Sequence, residues 1–126
     1  MADEARRRKI AERVAEELAV LFQRDVEDPR IQALIVTGAV VDRELAFATV
    51  FVASMEDDPD VEQIIRGLEH ASGYFRSKLA EKIALRSFPR LRFKYDLSMS
   101  QGTHIDDLLA KIKREDGYIA EDESNG

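Results

Sequence analysis

The chain has 126 residues and a formal charge of −6, with 25 acidic and 19 basic side chains and no cysteine. That length holds one domain, and the missing cysteines exclude disulfides, thiolate zinc sites and thiol nucleophiles. The acidic balance argues against indiscriminate polyanion binding, and no apolar run approaches the roughly 20 residues of a membrane helix.

Ile10, Val14, Leu18, Leu21 and Phe22 recur at three- and four-residue spacing among charged residues, which predicts an amphipathic helix from about Ala5 to Gln23. Asp28-Pro29 ends it, because the residue before a proline is pushed out of helical geometry. Leu34–Thr37 and Ala39–Val41 form a β-branched run containing Gly38, a sign of a bulge or of close backbone approach. After the polar turn Asp42-Arg43-Glu44, small and larger residues alternate from Ala46 to Val52. The two strands therefore read as an antiparallel hairpin.

Asp60, with Gln63 three residues on, marks the start of the next helix, and Val61, Ile64, Ile65 and Leu68 make its buried stripe. The period breaks at His70-Ala71-Ser72-Gly73 and resumes with Phe75, Leu79 and Ile83. Two helices joined by a tight kink at Gly73 are expected, since glycine costs about 1 kcal/mol inside a helix. Arg86-Ser87-Phe88-Pro89 then connects to a third strand, Leu91–Met99. There Leu91, Phe93, Tyr95, Leu97 and Met99 alternate with Arg92, Lys94, Asp96, Ser98 and Ser100. A last helix is expected from Thr103, burying Ile105, Leu108, Leu109 and Ile112. Residues 1–113 make the domain, and 114–126 read as an acidic tail expected to be disordered.

The order is α-β-β-α-α-β-α, an α+β domain with a three-stranded mixed sheet and helices on one face. Charge is distributed unevenly along it. Arg66–Lys94 holds eight basic residues against Glu69 and Glu81, a local charge of +6 in a chain of −6. Such a concentration points to an anionic partner, nucleic acid first.

This element order is that of the type II KH-like fold, but Ala71-Ser72-Gly73 stands where a KH domain carries its Gly-x-x-Gly loop. With Tyr74-Phe75-Arg76, Leu85-Arg86, Pro89–Asp96 and Gly102-Thr103-His104-Ile105, that junction resembles the ribosome-binding factor A family over about residues 5–112. The resemblance implies a non-enzymatic, cytoplasmic, monomeric assembly factor. It would bind the free small (30S) ribosomal subunit and its 16S rRNA, act in late maturation and 5′-end processing, support growth in the cold, and cooperate with an assembly GTPase. Some members carry a longer C-terminal extension, and functions of such a tail do not transfer here.

Arg76, Lys78 and Lys82 are expected to reach phosphates, helped by the amides after Gly73. Arg86, Arg90, Arg92 and Lys94 extend the positive surface, and Arg7 and Arg8 join it if the first helix packs nearby. Tyr74 adjoins the core Phe75 and is expected to be partly buried, while Phe93 and Tyr95 are core. An exposed aromatic platform is thus not expected, which favours phosphate and shape recognition over base reading. His70 and His104 share no acid–base spacing, and Asp57, Asp58, Asp60 and Glu62 lack an EF-hand pattern, so neither catalysis nor a metal nor another cofactor is indicated. The rival reading is a protein–protein interaction or dimerisation module that binds no RNA.

Overall fold

The computed structural model describes residues 3–99 and 118–119. Helix α1 spans Glu4–Arg24, with the Asp3 side chain accepting from the Arg6 amide at 2.7 Å. Its stripe of Ile10, Val14, Leu18 and Phe22 is buried. This helix ends on its C-cap Asp25 rather than at the expected Asp28, which begins the next element. The Asp28 carboxylate accepts from the Arg30 amide and caps a one-turn helix α2, Pro29–Gln32, with the proline in its first turn. The sequence reading missed this turn because four residues carry no period.

Strands β1 (Leu34–Val41) and β2 (Phe47–Ser54) pair antiparallel, and the register shifts between Val36 and Gly38, so the expected bulge is present. Asp42 closes the hairpin, its carboxylate accepting from the amides of Ala46 and Phe47 at 2.7 and 3.1 Å. Helix α3 (Val61–His70) starts on Asp60, which accepts from the Gln63 amide at 3.2 Å. Helix α4 spans Ser72–Lys82 and β3 spans Arg90–Asp96.

Two boundaries differ from expectation. The bend between α3 and α4 sits at Ala71 (φ −91°, ψ 2°), which ends one helix and begins the other, whereas Gly73 lies within the first turn of α4. β3 stops at Asp96 and passes into a 3₁₀ turn, Leu97–Met99. The Asp96 carboxylate takes the amide and hydroxyl of Ser98 at 2.9 and 2.6 Å, a local turn that outcompetes the ladder.

Sheet order is β1-β2-β3-β4, where β4 is the pair Tyr118–Ile119 lying parallel to Tyr95 and Asp96. The segment 114–126, expected as a disordered tail, thus contributes a fourth, two-residue strand. The expected helix from Thr103 and its residues Ile105, Leu108, Leu109 and Ile112 lie outside the described residues. β2 and β3 are parallel neighbours, as the two-helix crossover requires.

The core lies between the helices and the face formed by Ala48, Val50 and Val52 of β2 with Leu91, Phe93 and Tyr95 of β3. Phe75 is its hinge, meeting Phe22 edge-on at 5.2 Å and Phe93 at 6.3 Å between ring centroids. It therefore ties α4 to both α1 and β3. Tyr95, 2% exposed, accepts the Ser54 amide on its hydroxyl at 2.9 Å, and burial pushes its phenol above the usual range.

Candidate nucleic-acid interface

A groove of about 480 Å³ opens where the α3–α4 junction meets the starts of β2 and β3. Ser72, Gly73 and Arg76 form one wall, and Phe47, Arg90, Leu91 and Arg92 the other, with Glu69 between them. Among the described residues β3 is paired on its far side only at Tyr95 and Asp96, and the start of that strand lines the groove beside the helix junction. Glu69 reaches β3 and accepts from the Phe93 amide at 3.4 Å.

Three features make the groove suited to an anion. Among the described residues no side chain caps the α4 N-terminus, which leaves its first amides and the positive end of the helix dipole facing the groove. Gly73 adds no bulk there, and a Cβ built on it would meet no atom within 4 Å. Its value is open space at a helix start. Arg90 and Arg92 stand exposed on the opposite wall, the Arg92 guanidinium 3.6 Å from the centroid of the Phe47 ring.

The expected cations do not all converge on this groove. Arg76 lines it but is partly spent on structure: its Nε donates to the carbonyls of Phe88 and Pro89 at 3.2 and 3.1 Å, and Nη2 also donates to Phe88. It fixes the connection that delivers β3. Lys78 sits 5.7 Å from the Tyr74 ring, whose hydroxyl donates to Asp25 at 3.0 Å, toward the end of α1. Tyr74 itself is 44% exposed. Lys82 is exposed at the end of α4, where its carbonyl accepts from Arg13 at 3.2 Å. Arg86 is exposed on the connection, and Lys94 lies on β3 in register with Phe51.

Arg7 and Arg8 do not join the groove. They line a separate cleft of about 430 Å³ between α1 and β1, at the opposite edge of the sheet. Arg7 donates to the Val41 carbonyl at 3.4 Å, and Arg8 pairs with Glu4 at 3.6 Å. Of the helix-kink residues, Ala71 makes the bend, and Ser72 donates its hydroxyl to the Glu69 carbonyl at 2.8 Å. Ser72 therefore closes α3 at the point where α4 begins.

The sequence reading also missed the aromatics of β2. Phe47 and Phe51 are half-buried and lie on the sheet face away from the core, in register with Arg90 and Lys94. Where no exposed aromatic platform was expected, the open face carries these two half-buried rings. The available signal was the alternation of Phe47, Thr49 and Phe51 with Ala48, Val50 and Val52, which marks two faces without saying which is covered. Among the described residues no group of acidic, histidine or cysteine side chains is arranged to hold a metal ion, and no described helix is long and apolar enough to cross a membrane.

A bent helix pair on a mixed sheet, with a cationic groove at the bend, defines a KH-like domain without the Gly-x-x-Gly loop. The family model described as ribosome-binding factor A matches residues 6–109. A ribosome-binding factor A from Nitrosomonas europaea is 38% identical over 107 residues, covering 85% of this chain and 92% of that protein. The crystal structure of ribosome-binding factor A from Thermus thermophilus superposes with a TM-score of 0.55 at 26% identity, over 73% of this chain and 94% of that one. A homology model of the Thermus thermophilus factor, as fitted into a cryo-EM map of a 30S complex, gives 0.60 at 24% identity, over 71% and 94%. The chain belongs to the ribosome-binding factor A family.

Proposed function

We propose that this chain is a non-catalytic assembly factor that docks on the free 30S subunit and holds 16S rRNA in its helix-junction groove. The observation that carries this reading is the convergence on one groove of an uncapped helix start, the open position at Gly73 and two exposed arginines. Family membership and the 30S complex of the Thermus thermophilus relative support it.

The groove recognises phosphate and shape. Amides at the start of α4 take one phosphate, while the arginine forks of Arg90 and Arg92 take its neighbours. Arg76 keeps the two walls at a fixed separation through the carbonyls of Phe88 and Pro89. An RNA strand gripped in this way is held in place without chemistry. That is the service a late maturation factor supplies while the 5′ end is processed, a step whose delay in the cold would slow growth. Occupancy ends when the mature RNA arrangement, or an assembly GTPase, displaces a monomeric factor from the cytoplasmic particle.

Sedimentation of the purified chain with free 30S subunits tests the reading. Co-sedimentation at moderate salt is expected, with log affinity falling against log salt by roughly 0.7–0.9 per phosphate neutralised. A chain that stays in the supernatant at every salt concentration refutes it.

A further inference from the structure

The open face of the sheet carries an arrangement that the groove uses only at its Phe47, Arg90 and Arg92 end. Parallel register sets Phe47 beside Arg90, Thr49 beside Arg92 and Phe51 beside Lys94. On the other flank, β1 brings Val40 opposite Thr49 and Gly38 opposite Phe51. The central strand thus presents two half-buried rings with cations on one side. On the other stand an apolar residue that is 56% exposed and a glycine with no side chain. A Cβ at Gly38 would meet nothing within 4 Å, so a notch stands opposite Phe51 at the β1 edge, where Gly38 and Val40 also line the cleft beside α1. At the far end, the Thr37 hydroxyl donates to Asp96 at 2.6 Å across the intervening strand and closes the face.

The geometry points to a second binding surface for unpaired RNA, resting on the reading that this chain binds RNA. One base stacks on the outer plane of Arg92, whose inner plane covers Phe47. A second enters the notch against Phe51, and Arg90 and Lys94 take the intervening phosphates. A guanidinium already stacked on a ring is held flat for a base, and any base can use it, because every base has a π-face. The two rings lie about 13 Å apart along the strand, a distance that a few unstacked nucleotides span.

Two observations favour a single strand over a duplex or a protein. Aromatic and cationic side chains alternate across neighbouring strands, matching the alternation of base and phosphate, whereas a duplex keeps its bases stacked and out of reach. Phe47, Arg90 and Arg92 also line the groove, so a strand leaving the groove passes onto this face over the same side chains. A factor built this way holds a helix and the unpaired segment that continues from it.

The test uses the full chain with two labelled RNAs: an unpaired strand of about ten nucleotides containing 2-aminopurine, and a hairpin duplex. Binding of the strand should change 2-aminopurine emission through stacking. Gly38→Val fills the notch with a strand-forming residue whose Cβ has room, and Phe51→Leu removes the ring while keeping the side chain apolar. Each should weaken the strand about tenfold and the duplex less than about twofold, with melting curves reporting the fold. Strand affinity unchanged in both variants, or strand binding without an emission change, overturns the proposal and leaves the groove reading standing. Failure of the unaltered chain to bind either RNA overturns both readings. Capture of a ribosomal protein by a photo-crosslinker at Val40, with no RNA adduct, also overturns the proposal.

Discussion

The two sides of β3 do opposite work on one backbone. Leu91, Phe93 and Tyr95 point into the core, each no more than 7% exposed, and hold α3 and α4 onto the sheet. Arg90, Arg92 and Lys94 alternate with them and face away from the core, Arg92 over the Phe47 ring. Strand geometry alone accomplishes this separation, because successive side chains leave a strand on opposite faces. The inward set should therefore govern stability, and the outward set should govern binding.

The largest effect is expected inside. Phe75→Ala removes the ring shared by α1, α4 and β3 and should cost about 3–5 kcal/mol in urea unfolding. If it costs nothing measurable, the helices are not anchored where the core places them. Tyr95→Phe is subtler. It keeps the ring but leaves the partly buried Ser54 amide without its acceptor, a loss of about 1 kcal/mol measured the same way.

Gly73→Ala sharpens the comparison by moving stability and binding in opposite directions. Alanine is the better helix former, so thermal stability should rise by up to about 1 kcal/mol. The added methyl narrows the groove over the α4 amides, so 30S affinity should fall. A rise in both would show that no RNA approaches this helix start.

The smallest effect concerns acid. Partial burial pushes the Asp96 carboxyl up, but hydrogen bonds from the Ser98 hydroxyl, the Thr37 hydroxyl and the Ser98 amide outweigh it and leave the group below the ordinary carboxylate range. A carboxyl lowered in the fold stabilises it above the unfolded pKa of 3.8, and that contribution is lost as pH falls through the lower native value. Asp96→Asn should accordingly lower the melting temperature at neutral pH and shrink the fall below about pH 4. An unchanged acid limb would mean that the Ser98 and Thr37 hydrogen bonds do not hold this carboxylate in solution.

Much of this design was legible in the sequence because it rests on local chemistry. Asp60 with Gln63, the helical period of α1, the alternation of β3 and the bulge before Gly38 each carry their own signal. What escaped depends on tertiary placement. Alternation in β2 separates two sets of side chains, but only the volume already filled by Phe22, Phe75 and Phe93 decides that Ala48 and Val50 lie inside and Phe47 and Phe51 outside. Composition showed that Arg76 is cationic, not that two carbonyls of the connection would claim its guanidinium. Glycine drew the kink toward Gly73, yet Ala71 makes the bend at ordinary negative φ, and Gly73 serves as open space. Arg7 and Arg8 belong to the same positive inventory as Arg90 and Arg92, but sheet order puts them at opposite edges.

That separation offers the most direct measurement. Arg90→Glu with Arg92→Glu reverses two exposed charges at the groove, and Arg8→Glu with Lys9→Glu reverses two exposed charges on α1. Both pairs change the net charge equally. In sedimentation with free 30S subunits, the groove pair should lose binding at moderate salt and flatten the salt dependence by about two phosphate contacts, while the α1 pair binds nearly as well as the unaltered chain. Equal losses from both pairs would reduce the interaction to net charge, and a loss confined to the α1 pair would place the RNA on the other edge of the sheet.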